Sequence, residues 1–204
     1  MLSLLPVAAA AWIVPAAPPA QAGPVVPAAS FSARGFLESV AATSARNAWA
    51  VGQAGPAFSS KPKTLIARWD GTAWQRVPSP TPASGGSLYS VTVTAAHRGW
   101  AVGESGSATG TKTKTLVLRW NGTSWKQVPS PTPAGGATLY GVAVTSARSA
   151  WAVGWAYRGH KTLILRWNGT TWSRVPSPTP AGGAILTGVA GTSASSAWAV
   201  GYAS

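Results

Sequence analysis

Residues 115–133 read TLVLRWNGTSWKQVPSPTP. Leu116, Leu118 and Trp120 alternate with Val117 and Arg119, a period of two that belongs to a strand and not to a helix. Asn121-Gly122 is the residue pair favoured in a two-residue type I′ hairpin turn. The spacing therefore predicts Trp120 opposite Thr123 and Leu118 opposite Trp125, with the two tryptophans as diagonal neighbours on one sheet face. The VPSPTP that follows reads as a rigid, extended connector whose prolines prevent strand continuation.

The same stretch occurs three times. Arg-Trp-Asn/Asp-Gly-Thr-x-Trp runs from Arg68 to Trp74, Arg119 to Trp125 and Arg166 to Trp172, spaced 51 and then 47 residues, and VPSPTP follows each time from Val77, Val128 and Val175. WAVG begins at Trp49, Trp100, Trp151 and Trp198. A period of this length, carried by several motifs in fixed order, marks a repeat architecture in the range of propeller blades. In the second copy four short runs are expected to be strands: Leu88 to Thr94, Gly99 to Gly103, Thr115 to Trp120 and Thr123 to Val128.

A four-stranded unit of this size cannot bury both faces alone, and stacking copies around an axis solves the problem. The expected fold is all-β: β-propeller-like repeats of four-stranded antiparallel blades, about 3.5 blades in an incomplete ring. The units are residues 35–85, 86–135, 136–182 and a partial 183–204. Because the fourth copy stops after its second strand, the expectation is a truncated reading frame or a chain that needs a partner, with an exposed edge.

Composition narrows the chemistry. The 23 glycines and 17 prolines favour many turns between short segments. Three acids, Glu38, Asp70 and Glu104, stand against 16 Lys and Arg for a net charge of +13, which nearly excludes paired-carboxylate catalysis and favours anionic partners. There is no cysteine, so disulfides and thiolate chemistry are excluded. Residues 1–22 read as a secretory signal cleaved after Ala20-Gln21-Ala22, and 23–34 as a Pro/Ala-rich linker, so the chain is expected to be secreted, without a stable membrane span.

With W-A-V-G, then T-L-x-x-x-W-N-G-T-x-W, then V-P-S-P, residues from Phe36 to Ser204 resemble a group of secreted, tryptophan-rich repeat proteins of high-GC, actinobacterial-type bacteria. The period is similar to that of kelch and BNR-type propellers, a resemblance that implies the propeller fold and a role in binding. Two features depart from those classes. Gly135-Gly136 and Gly182-Gly183 precede the first strand instead of following the second, and the Asp-Gly-Thr-x-Trp at Asp70 lacks the spacer of a sialidase-type Asp box. Kelch-type folds also host a copper oxidase resembling galactose oxidase, but no cysteine and only His97 and His160 are present.

No catalytic set emerges, no Gly-x-Ser-x-Gly elbow occurs, and the chain is expected to be neither an enzyme nor a cofactor or metal binder. His97 falls in a turn where other copies carry Arg46, Arg148 and Ser195, and His160 in a loop. The Asn-Gly-Thr triplets at Asn121 and Asn168 match a glycosylation pattern, yet Asp70 fills the same place, so the turn accounts for all three. Thr81, Thr132 and Thr179 of the connectors read as structural, not as sugar carriers.

Function is expected in the segments between strands two and three, Gly52 to Lys63, Gly103 to Lys114 and Gly154 to Lys161, which vary while the strands stay fixed. They carry the candidate ligand-binding residues Lys61, Lys63, Lys112, Lys114, Trp155, Tyr157, Arg158 and Lys161. With the first strand innermost, these loops share a face with the connectors. The expected partner is an anionic glycan, a cell-wall polymer or an acidic protein; nucleic acid is not expected. The alternatives are a self-associating structural surface protein or a truncated fragment of a longer propeller.

Overall fold

The computed structural model describes residues 34–56, 59–94, 98–106 and 113–203. The expected signal segment, nearly all of the linker, His97 and Lys112 lie outside them. The first sheet comprises β1 (Gly35–Ser44), β2 (Asn47–Ala54), β3 (Lys63–Trp69) and β4 (Trp74–Arg76). The second comprises β5 (Gly86–Thr94), β6 (Arg98–Ser105), β7 (Lys114–Trp120) and β8 (Trp125–Gln127), and the third β9 (Ala137–Ser146), β10 (Ser149–Ala156), β11 (Lys161–Trp167) and β12 (Trp172–Val175). A two-stranded sheet of β13 (Ala184–Gly191) and β14 (Ala197–Ala203) follows. All pairings are antiparallel between sequence neighbours.

The first strands stack on one another, β1 on β5, β5 on β9 and β9 on β13, which makes them the inner strands of an open, propeller-like ring. Each bulges at the same place, skipping Glu38, Tyr89, Tyr140 and Thr187 in the ladder with the second strand. Hydrogen bonds link successive inner strands: the Ser39 hydroxyl accepts from the Val91 N–H and the Ser90 hydroxyl from the Val142 N–H, each at 3.2 Å. The glycine of WAVG is required by this crowding. A Cβ on Gly52, Gly103, Gly154 or Gly201 would lie 1.9 Å from the carbonyl oxygen of Phe36, Ser87, Thr138 or Ile185.

Tryptophan joins the sheets. Trp49 of β2 packs between Trp120 and Trp125 of the next sheet at centroid distances of 4.8 and 5.4 Å, and Trp100 repeats this with Trp167 and Trp172, both at 5.0 Å. Such pairs contribute roughly 0.5–1.5 kcal/mol each beyond their area. Both clusters belong to the buried core.

The hairpin carrying these pairs differs from expectation. Trp120 pairs directly with Trp125, and Leu118 with Gln127, around a four-residue loop. Only Gly122 has positive φ, at 106°, so no type I′ turn forms. The cause is the Asn121 side chain: its Oδ1 accepts from the Thr123 N–H, the Thr123 hydroxyl and the Ser124 N–H, each at 2.9 Å. Asn168 repeats the arrangement, and Asp70 does so with a carboxylate.

The connectors are pinned, as their structural reading requires. Thr64, Thr115 and Thr162 each bring a buried hydroxyl within 2.7–3.0 Å of the paired hydroxyls Ser79 and Thr81, Ser130 and Thr132, or Ser177 and Thr179. The connector threonine also accepts the backbone N–H of the same strand residue.

Candidate functional site

The segments between second and third strands do meet the connectors at one end of the sheets. The Gly86 N–H donates to the Pro62 carbonyl, Ala137 to Thr113 and Ala184 to His160, at 2.8, 3.2 and 2.9 Å, so each segment buttresses entry to the next sheet. Lys61, Lys63, Lys114, Arg158 and Lys161 are exposed at this end. The two aromatic candidates are placed differently. Trp155 belongs to β10, not to a loop, and is half-buried against Tyr157 and His160 at centroid distances of 4.6 and 5.6 Å. Tyr157 turns inward, its hydroxyl donating to Glu104 at 3.0 Å.

That contact belongs to a polar clasp that the sequence reading missed. Glu104 is 3% exposed and accepts from the hydroxyls of Tyr89, Tyr157 and Thr138, joining the second and third sheets. Burial, with Glu104 alongside, pushes the Tyr89 phenol far above its ordinary pKa. Burial, then the neighbouring Tyr157 and Glu104, raises Tyr140 to about 12. The Tyr89 phenol stays protonated and donates to Glu104. At the equivalent place between the first and second sheets, Gln53 accepts one hydrogen bond from Ser87 at 2.5 Å.

At the opposite end, clefts open between neighbouring sheets beside the turns that join first to second strands. Between the first and second sheets the cleft measures about 320 Å³ and is floored by Trp49, with Arg98 of the second sheet also in its lining. Arg68 lies over that ring at 5.3 Å, and its Nε donates to Asn47 Oδ1 at 3.3 Å. Between the second and third sheets the cleft is larger, about 460 Å³, and Trp100 is its floor. Arg119 lies 5.3 Å from Trp100 and 5.4 Å from Trp167, while the place of Asn47 is taken by exposed Arg98. Arg98 and Arg119 also line an adjoining cavity with Lys126. Aligning the copies on WAVG puts Asn47, Arg98, Ser149 and Ser196 in one column, a signal from which Arg98 could have been singled out.

The chain's three acids are placed elsewhere: Asp70 caps its own hairpin loop, Glu38 lies on β1 and Glu104 is enclosed in the clasp. Among the described residues no group of three or more His, Asp or Glu comes together in a way that could hold a metal ion.

No family model and no curated protein matches the chain. Among solved structures it is similar to YCF48 bound to D1 peptide, with a TM-score of 0.51 and 16% identity over 84% of this chain and 54% of that one. It is also similar to YCF48 from Cyanidioschyzon merolae, with a TM-score of 0.52 and 16% identity over 86% and 51%. At this identity the likeness shows the fold alone, in agreement with a propeller-like repeat. The chain spans about half the length of these proteins.

Proposed function

We propose that this chain is a secreted, non-catalytic binding module whose basic loop end engages an anionic glycan, a cell-wall polymer or an acidic protein. The observation that carries the reading is the set of exposed cations at the loop end, Lys61, Lys63, Lys114, Arg158 and Lys161, in a chain of net charge +13. The connectors beneath them are held by threonine and serine hydroxyls, so the cations stand on a fixed base. A protein partner gains support from YCF48, which shares the fold and was solved with a peptide bound. The test is binding of the chain to heparin and to polyglutamate over a range of salt concentrations. Affinity is expected to fall as salt rises. Exchanging Lys61, Lys63, Lys114 and Lys161 for serine is expected to weaken it about tenfold, since exposed ion pairs contribute a few tenths to about 1 kcal/mol each. Salt-independent binding, or a quadruple variant that binds like the parent, would sink this reading.

Self-association is a second reading, favoured by the apolar residues at the two ends of the arc. Phe36, Leu37 and Val40 are exposed on the first sheet, and Trp198, Val200 and Tyr202 on the last. Light scattering over a concentration series checks it: a mass that grows with concentration supports the reading, and a constant monomer mass removes it.

A further inference from the structure

We propose that the cleft between the second and third sheets is a carboxylate-binding site, in which Arg98 and Arg119 together hold an acidic side chain or chain end of a peptide. The proposal goes beyond the loop-end reading and lies at the opposite end of the strands, so either can fail without the other.

The repeat itself supplies the control. In the first sheet the arginine over the WAVG tryptophan has a protein acceptor, the Asn47 amide oxygen. In the second sheet a guanidinium occupies that place, so one acceptor is removed and one positive charge added beside Arg119. Two guanidiniums facing one cleft repel each other, and an anion between them reverses the sign of that interaction. The cavity of about 460 Å³ falls within the range of small-ligand pockets. Trp100 and Trp167 lie against the Arg119 guanidinium, which orients the planar fork for a two-point hydrogen bond to a carboxylate.

The walls favour a peptide over a sugar chain. Thr94 and Thr145 donate their hydroxyls to the backbone carbonyls of Arg98 and Ser149, so these two protons are already engaged. Val144 and Ala147 add apolar wall, and Trp100 is 4% exposed, leaving no open aromatic platform on which a sugar ring could lie. A carboxylate with an adjacent small apolar side chain matches this lining.

The experiment measures fluorescence anisotropy of a labelled peptide of alternating Glu and Val, with a Gln-Val peptide as control, against the loop-end quadruple serine variant, in which the loop-end cations cannot contribute, and against the same variant carrying Arg98→Asn or Arg98→Lys. Arg98→Asn installs the residue that the first sheet carries in the same place, so its addition is expected to leave the thermal midpoint unchanged. Expected are saturable binding by the quadruple variant, loss of about tenfold or more in affinity on adding Arg98→Asn, and a smaller loss on adding Arg98→Lys, which keeps the charge without the fork. That pattern supports the cleft whatever becomes of the loop end. No binding by the quadruple variant, equal binding after Arg98→Asn, or equal affinity for the Gln-Val peptide would each overturn the proposal.

Discussion

The interface between the first and second sheets and the one between the second and third share a tryptophan core and differ at its two ends. Both insert one WAVG tryptophan between the paired tryptophans of the next hairpin, at nearly the same distances. At the loop end, a single Gln53–Ser87 hydrogen bond in one becomes a buried Glu104 with three hydroxyl donors in the other. At the turn end, Asn47 becomes Arg98. The strands, bulges and glycines constrain the backbone so tightly that variation is confined to places where a side chain changes and the frame does not. Those places are where one interface can acquire a property that its copy lacks.

The largest effect should separate a tryptophan inside an interface from one outside any. Trp100→Ala empties the centre of the second cluster and is expected to lower stability by about 3–5 kcal/mol in chemical denaturation. Trp198→Ala alters a residue 73% exposed and is expected to stay within about 0.5 kcal/mol. Comparable losses would show that the last sheet's face is covered in solution, which would favour self-association.

Next in size is the clasp. Glu104→Ala leaves the hydroxyls of Tyr89, Thr138 and Tyr157 without their shared acceptor and is expected to cost about 2–3 kcal/mol, whereas Gln53→Ala breaks one hydrogen bond and is expected to cost about 1 kcal/mol. Glu104→Gln copies the first interface into the second and should fall between them. Equal costs for Glu104→Ala and Gln53→Ala, read from denaturation midpoints, would deny the clasp any weight beyond one bond.

The turn end can be exchanged in the other direction. Asn47→Arg removes the acceptor of Arg68 and adds a guanidinium to the smaller cleft, which Arg98 already lines, so titration of the loop-end quadruple serine variant with the Glu-Val peptide in a calorimeter is expected to show a second, weaker equivalent once Asn47→Arg is added. A stoichiometry that stays at one would show that cleft size, about 320 against 460 Å³, and not the arginine pair, selects the ligand.

The strands and their repeat were legible because each rests on periodicity and on motifs copied three or four times, whereas the inner position of the first strand was a premise that the repeats do not fix and that rests on the stacking of β1, β5, β9 and β13. The hairpin loop was misread for a local reason: Asn-Gly favours a two-residue turn by backbone preference, but an Asn side chain that accepts three hydrogen bonds stabilises a four-residue loop instead. Trp155 was assigned to a loop because WAVG was taken to end its strand, whereas the ladder continues past Gly154 to Ala156, and only Tyr157 falls in the turn beyond it. Glu104 and Arg98 escaped notice because their columns carry no motif, Gln53, Glu104, Trp155 and Tyr202 in one and Asn47, Arg98, Ser149 and Ser196 in the other, and motif reading weighs what recurs. Their meaning depends on which side chains the neighbouring sheet brings opposite them, which repeat spacing alone does not state.

The smallest effect compares the hairpin loops, where Asp70 does with a charge what Asn121 and Asn168 do without one. Hydrogen bonds from the Thr72 hydroxyl, the Ala73 N–H and the Thr72 N–H hold the Asp70 carboxyl at about 2, below its ordinary 3.8. A carboxyl depressed in the folded state binds its proton more weakly there than in the unfolded chain. Its contribution is therefore complete above pH 3.8 and is lost as pH falls through about 2. Asp70→Asn keeps the three acceptor contacts at Oδ1 and removes the titration, so the difference in thermal midpoint between parent and variant should be constant above pH 4 and shift in the variant's favour between pH 3.8 and 2. The shift should be small, because the loop is exposed. If the difference does not change across that window, the carboxylate contributes no more than an amide would, and the three hairpins are equivalent in energy as well as in shape.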